Sequence, residues 1–302
     1  MFARSFVRNA RIPVALFNTK HFQSRHKMVV SPKEFTSVFS EILSPQDRLL
    51  RQSTVGGGSN RVLVLDRLQQ VKGVYYPVLC LPHPSALSSA EEGTLGVPVS
   101  KYLEKVAPVT PPTTGRKKVK PVYPSTLVIL SHPNGVAFAV FSGEGTYTVK
   151  LQNFHIARGE DEKGSAATAS SQEAPAAPTD AMIGASKQLL KSLSAEYTKH
   201  IQPCSTFYFV VRDKKASMTL STIASIADNA KEELGLPFSF SDSRWVQMSD
   251  VVFHGSRNVS LYSNEESVDS AALLQAVTHG TLEVDYVPKK KEDAPSQPAA
   301  SG

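Results

Sequence analysis

The sequence predicts an α+β protein in which a region made only of strands precedes a region of alternating helices and strands. Between residues 60 and 158, five short apolar segments follow one another with no helical pattern between them. Between residues 181 and 287, helical and strand patterns alternate. Because 41% of the residues are hydrophobic, with 14 Phe and nine Tyr, the composition excludes a wholly disordered chain.

Residues 1–27 are basic and contain no acidic residue, since the first is Glu34. Apolar residues alternate at roughly helical spacing with six cations: Arg4, Arg8, Arg11, Lys20, Arg25 and Lys27. This pattern is typical of a mitochondrial transit peptide, and we therefore expect the protein in the matrix. The six cations account for the whole formal charge of +6, so the rest of the chain is neutral. Neutrality argues against a free-standing nucleic-acid binder.

Residues 28–59 are predicted to form an N-terminal helical segment. Ser31 is the expected N-cap of a helix over residues 31–43, Pro32 suits its first position, and Glu34 completes a capping box. One face of this helix is apolar and must pack against the rest of the protein. Its members are Phe35, Val38, Phe39 and Ile42.

Residues 60–158 are predicted to form a small β-barrel, because closure removes the exposed edges of five short strands. The strand segments are RVLVLDRL, YYPVLCL, TLVILS, VAFAVFS and TYTVKL. Asn134-Gly135 and Gly143-Glu144-Gly145 separate the last three strands, as in hairpins. A long Pro-rich insertion, about residues 85–124, interrupts the predicted barrel.

This barrel resembles the SH3-like PWWP and Tudor domains in two short motifs. The first is Lys72-Gly73-Val74-Tyr75-Tyr76-Pro77-Val78, and the second runs from Phe141-Ser142-Gly143 to Tyr147. Tyrosine stands here where the family has two tryptophans. The resemblance implies an aromatic cage for a methylated ammonium, formed by Tyr76 and Phe141. The alternative is that both rings pack in the core of the barrel.

Residues 159–180 are an Ala/Ser/Glu/Pro tract and are expected to link two domains. Residues 181–287 open with a helix, and from residue 206 the predicted order is β-α-β-β-α-β, the ferredoxin-like arrangement. RNA-recognition modules share this order, but the third predicted strand, in VVFHGSRNVSLY, lacks their aromatic pair. Residues 288–302 are expected to be a disordered tail.

No motif for catalysis, a cofactor or a metal stands out, and we therefore expect a protein that is not an enzyme. The sequence contains no phosphate-binding loop and no nucleophile elbow. Its eight histidines are scattered, and the nearest approach to a metal-ligand spacing is His200-x-x-x-Cys204. A helix end followed by a strand start explains those two residues without a metal.

A basic cluster in the Pro-rich insertion is the candidate contact with RNA phosphates. It consists of Arg116, Lys117, Lys118 and Lys120. We expect a non-catalytic subunit or assembly factor of a mitochondrial ribonucleoprotein, such as the ribosome or an RNA-processing assembly. It would bind mainly through protein contacts, with basic extensions reaching RNA. The alternative is an accessory subunit or assembly factor of a respiratory or ATP-synthase complex.

Overall fold

The computed structural model describes residues 26–54, 57–87, 96–109, 121–156, 178–211, 218–249, 261 and 267–285. Over these residues the protein is α+β, as the sequence predicts, and its strands form two sheets. Apolar side chains from both sheets share one core. A second core covers the other face of one of the two sheets.

The first sheet has six strands, and all of its neighbouring pairs are antiparallel. In chain order they are β1 (His26–Val30), β2 (Arg48–Thr54), β3 (Gly57–Leu65), β4 (Val71–Tyr76), β5 (Val97–Pro98) and β11 (Gly280–Val284). Their order across the sheet is β1-β11-β4-β3-β2-β5. Strand β11, the last described strand of the chain, therefore lies between β1 and β4.

The second sheet is mixed and has the order β10-β9-β6-β7-β8. Its strands are β6 (Ser125–His132), β7 (Gly135–Ser142), β8 (Tyr147–His155), β9 (Cys204–Val211) and β10 (Trp245–Ser249). Strands β6, β7 and β8 form an antiparallel meander, which confirms the two predicted hairpins. Strands β9 and β10 continue the sheet in parallel beside β6.

Six α-helices complete the described fold. They are α1 (Phe35–Ile42), α2 (Val99–Val106), α3 (Asp180–Glu196), α4 (Leu220–Asn229), α5 (Lys231–Leu234) and α6 (Ser270–Val277). Helices α1, α2 and α6 contribute to the core between the sheets, whereas α3 and α4 pack on the outer face of the second sheet. None of the described helices has the length and apolar content needed to span a bilayer.

Helix α1 packs through the predicted apolar face, because Phe35 and Phe39 are fully buried. The Phe39 ring stacks on Phe35 at 4.1 Å and lies edge-on to Tyr75 at 4.9 Å. The helix begins at Phe35 rather than at residue 31, since residues 32–34 form a turn. The predicted capping box is therefore not formed: the Ser31 hydroxyl donates to the Glu34 carboxylate at 2.9 Å instead of bonding to the backbone.

An irregular segment, residues 77–83, passes between the two sheets and is fully buried. Buried backbone groups need partners, and here several come from side chains. Three are tyrosines: Tyr75 Oη accepts from the Val78 N–H (3.1 Å), Tyr208 donates to the Leu81 carbonyl (2.9 Å) and Tyr102 donates to the Pro82 carbonyl (2.8 Å). Of the apolar run YYPVLCL, predicted as one strand, only Tyr75 and Tyr76 belong to β4, and the other five residues form the buried connection.

The predicted closed barrel is wrong for the described strands. Strands β3 and β4 lie in the first sheet and β6, β7 and β8 in the second, so the segments of residues 60–158 do not close on one another. The reason is long-range pairing: β11 occupies one side of β4, and β9 occupies one side of β6. Strands β4 and β6, which a barrel closed within residues 60–158 would pair locally, are therefore paired with strands from later in the chain.

The predicted ferredoxin-like sheet is not formed either. Strands β9 and β10 lie in the second sheet, whereas β11 lies in the first, and a ferredoxin-like unit would hold its strands in one sheet. The segment predicted as the third strand of that unit falls largely outside the described residues. The helices α4 and α6 occur where the sequence predicts them.

Three predicted boundaries also differ from the structure. Strand β1 begins at His26, so the last two residues of the predicted transit peptide belong to the first sheet. The segment 28–59 contains β2 in addition to a helix, and residues 85–124 contain β5 and α2. The β2 sequence RLLRQST has little apolar alternation, which explains why its pattern does not reveal a strand.

Candidate docking site

A group of half-buried aromatic rings, here called the edge cluster, lies beside β10 at the end of the second sheet. Its members are Tyr197, Phe238, Phe240 and Trp245. Gly235 ends α5 in the left-handed conformation (φ 55°), which turns the chain into the loop that carries Phe238 and Phe240. That loop leads into Trp245, the first residue of β10.

The rings of the edge cluster are packed mostly against one another. Tyr197 stacks on Phe238 with centroids 5.5 Å apart, and Phe240 stacks on Trp245 at 5.0 Å with planes 22° apart. Trp245 also lies edge-on to the buried ring of Phe207 at 5.0 Å. Most ring faces in the cluster are therefore occupied by other rings of this chain.

A small apolar slot opens between the edge cluster and the end of α3. It encloses about 10 Å³, and no polar surface lines it. Its walls are Leu127, Leu193, Tyr197, Ile201, Phe207, Phe238 and Trp245. Helix α3 ends in a π-helical turn, Tyr197–Ile201, in which the Gln202 N–H donates to the Tyr197 carbonyl at 2.7 Å. Such turns widen a helix locally and are frequent at functional sites.

Arg244 joins the chain segments beside the slot through hydrogen bonds. Its guanidinium bonds to the Asp242 carboxylate at 2.7 and 3.1 Å and donates to the carbonyls of Gln202 and Cys204, each at 2.9 Å. Its Cζ lies 4.2 Å from the centroid of the Phe207 ring. The hydrogen bonds from Arg244 lower the pKa of Asp242, and the bond to Asp242 raises the pKa of Arg244. Both groups therefore stay charged at neutral pH.

The slot is small and apolar, and Arg244 fixes the chain segments beside it. No family model, curated protein or solved structure matches this chain. The function therefore has to be argued from the chemistry of the site.

The structure does not bring the two residues of the expected aromatic cage together. Tyr76 is half-buried on β4 in the first sheet, and Phe141 lies on β7 in the second. Phe141 is fully buried in the core between the sheets, where its ring packs against Tyr147 at 4.7 Å. The cage with Phe141 is therefore wrong: this ring has no exposed face, as the alternative of core packing predicts.

The basic cluster Arg116, Lys117, Lys118 and Lys120 lies outside the described residues. The described ends of its segment are joined by a bridge between Val109 and Val122, with N–H to carbonyl distances of 2.8 and 2.9 Å. Val109 is 68% exposed and Val122 is 59% exposed. Val109 and Val122, which flank the cluster in sequence, therefore lie at the surface.

Three buried titratable groups, His83, Cys80 and Cys204, have pKa values that keep them uncharged at neutral pH. Burial, with a smaller effect of the Arg51 charge, lowers the pKa of His83 to about 3. Its Nδ1 accepts from the Ser85 N–H at 3.1 Å, which places the proton on Nε2, and Nε2 has no hydrogen-bond acceptor among the described residues. Burial raises the pKa of Cys80 to about 12, and that of Cys204 to about 11. Neutral, enclosed groups of this kind are poor acid–base or nucleophilic catalysts.

The pair His200 and Cys204 does not chelate a metal in this arrangement, because the Cys204 thiol points at the His200 carbonyl at 3.2 Å. No cluster of three or more possible metal ligands occurs within the described part of the chain.

The sequence contains a sign of the edge cluster that the strand prediction conceals. The segment GLPFSFSDSRW places three aromatic residues among polar and turn-forming ones. Its part from Ser239 onward is predicted as the start of a strand, SFSDSRWVQMS, whereas the strand begins only at Trp245. Tyr197 could not be assigned to the same site, because it comes from a helix about forty residues earlier in the sequence.

Proposed function

We propose that this protein is a non-catalytic subunit or assembly factor of a mitochondrial ribonucleoprotein, held in place mainly by protein contacts. The observation that carries the proposal is the edge cluster around its apolar slot. Half-buried aromatic rings beside a small apolar cavity are the features that concentrate binding energy at protein interfaces. The neutral charge of the chain beyond residue 27 agrees with binding through such contacts rather than through phosphate.

The proposal assigns RNA to the basic cluster rather than to the second sheet. Within the described residues, both faces of this sheet are covered, one by the core shared with the first sheet and the other by α3 and α4, which leaves no open face there on which bases could stack. The cluster Arg116, Lys117, Lys118 and Lys120 lies in sequence between the exposed residues Val109 and Val122. The PWWP and Tudor resemblance contributes nothing to the proposal, because its cage residues lie in different sheets.

The test is sedimentation of the tagged full chain from mitochondria, with and without RNase. The proposal expects comigration with large particles that RNase converts to smaller ones. If the protein stays with inner-membrane complexes after RNase, it belongs instead to a respiratory or ATP-synthase assembly. A protein that sediments alone in both conditions would contradict both assignments.

The RNA contact is tested separately by reversing the charges of Arg116, Lys117, Lys118 and Lys120 to glutamate. We expect weaker crosslinking to RNA, because each lost phosphate contact removes salt-sensitive affinity. The matched control reverses four exposed lysines elsewhere, Lys105, Lys150, Lys191 and Lys231. Equal crosslinking in the two variants would show that the basic cluster is not the RNA contact.

A further inference from the structure

We infer that an endopeptidase removes the N-terminal leader by a cut between Arg11 and His26, so that strand β1 remains in the mature protein. The inference rests on the proposed function only in that the protein is imported into mitochondria. Its two limits follow from the pairing and burial of β1 and from the basic pattern that precedes this strand.

Strand β1 is paired along its whole length in the first sheet. Its five residues, His26–Val30, lie opposite Gly280–Val284 of β11 in an unbroken antiparallel register. Strand β11 lies between β1 and β4, so a chain without β1 would have β11 as the edge of the sheet. The backbone groups of β11 that now bond to β1 would then be unpaired, and an unpaired edge is a template for aggregation.

The side chains of β1 also belong to the folded protein. Val30 is fully buried in the core that the two sheets share, and Met28 packs against the same core. Lys27, which the sequence pattern counts with the leader, forms an ion pair with Glu283 at 3.5 Å. Burying a valine side chain removes its whole apolar surface from water. A cut inside β1 would forfeit these contacts, so the leader has to end before His26.

The basic pattern sets the other limit of the processing site. Arg4, Arg8 and Arg11 alternate with apolar residues at helical spacing, which is the part of the leader that resembles an import signal. Pro13 would break a helix that continued past this point, so the pattern ends at about Arg11. A leader that is removed as one unit therefore includes Arg11.

The step itself is the hydrolysis of one peptide bond. One water molecule adds across the carbonyl carbon and the amide nitrogen, which leaves a carboxylate on the released leader and an amino group on the first residue of the mature chain. No oxidant, reductant or cofactor is needed, and the endopeptidase is supplied by the compartment rather than by this protein.

Two neighbouring valines test whether the fold depends on β1. Val30 is 0% exposed and Val29 is 53% exposed, so aspartate at position 30 buries a charge and aspartate at position 29 does not. In the full chain, Val30→Asp should lower the thermal midpoint by about 10 °C, and Val29→Asp should lower it by about 3 °C or less. Equal midpoints for the two variants would overturn the inference, because a cut inside β1 would then cost the protein nothing.

The position of the cut is tested by import of the labelled full chain into isolated mitochondria. Protease added outside removes the chains that were not imported, and mass spectrometry identifies the first residue of the protected product. We expect that residue to lie between Ile12 and His26. A protected product that begins after His26, or one that still contains Arg11, would overturn the inference and leave the proposed function to the sedimentation experiment. If no product is protected, the chain is not imported, and the inference and the proposed function both fail.

Discussion

Two groups of four aromatic rings lie in this molecule, and they have opposite relations to solvent. The interior cluster consists of Phe35, Phe39, Tyr75 and Tyr102, and all four are fully buried between the two sheets. The edge cluster, Tyr197, Phe238, Phe240 and Trp245, is only half-buried. Each interior ring packs on at least two others, and the interior hydroxyls bond to the buried segment 77–83.

The difference shows which aromatic residues the fold requires. The interior rings fill a core that both sheets share, and the hydroxyls of Tyr75 and Tyr102 bond to backbone groups of the buried segment. The edge rings cover one end of the second core and leave an apolar slot open to the surface. Truncation of an interior ring should therefore cost far more stability than truncation of an edge ring.

The largest effect is expected for Phe39→Ala in the interior cluster. Removing a fully buried phenylalanine from a packed core costs about 3–5 kcal/mol of the free energy of unfolding. Phe39 is completely buried and stacks on Phe35, so the loss should lie in this range. Denaturant unfolding followed by circular dichroism measures it. A loss below about 1 kcal/mol would show that α1 is not part of the core.

Tyr102→Phe should have the next largest effect, because it removes one hydroxyl and leaves the Pro82 carbonyl without that donor. An unsatisfied buried group costs about 1–3 kcal/mol. The matched change in the edge cluster, Tyr197→Phe, removes a half-buried hydroxyl whose hydrogen bond to Arg244 water can replace, so it should cost about 1 kcal/mol or less. The comparison fails if both variants lose the same stability in denaturant unfolding.

The interior should also make the protein sensitive to mild acid through His83. Its pKa is about 3 in the folded protein against an ordinary value of 6.5, so between these pH values the unfolded chain binds a proton that the folded protein does not. The free energy of unfolding should therefore fall as the pH drops below about 6.5, by up to about 1.4 kcal/mol per pH unit from this group. His83→Asn should flatten that slope, and His155→Asn, at an exposed position, should leave it unchanged. Equal slopes in the wild type and His83→Asn would contradict this account.

In the edge cluster, Phe240→Ala should cost much less stability than Phe39→Ala costs in the interior cluster. Its ring is half-buried and stacks on Trp245, so truncation should cost about 1 kcal/mol or less. Its effect on assembly should be much larger than its effect on folding, because it loosens the ring that supports the slot. Sedimentation of the variant with the RNase-sensitive particles should decrease while its unfolding transition is nearly unchanged. If sedimentation with the particles and stability fell together, Phe240 would be needed for folding, like the interior rings, rather than for binding.

Much of the secondary structure could be predicted from the sequence, but the partners of the strands could not. The meander β6-β7-β8 has short turns at Asn134-Gly135 and near Gly145, so local signals suffice for it. The pairing of β4 with β11 joins residues about two hundred positions apart, and no local pattern encodes it. The predicted barrel and the predicted ferredoxin-like sheet are wrong for this reason.

The site was harder to predict than the fold. Tyr75 and Tyr76 are neighbours in sequence, yet Tyr75 is fully buried between the sheets and Tyr76 is half-buried on the same strand. Strand alternation predicts that adjacent residues face opposite sides, but not which side is the core. The slot needs Tyr197 from α3, Phe238 from a loop and Trp245 from β10, and only the folded chain brings these together.

The central claim is that the edge cluster binds protein, and site-specific photocrosslinking in mitochondria tests it most directly. A photoreactive phenylalanine analogue at position 240 would lie on the rim of the slot, and the same analogue at position 147 would serve as the control on β8. The account predicts a discrete protein adduct from position 240 that survives RNase and is absent from position 147. Adducts to RNA from position 240, or the same adducts from both positions, would contradict it.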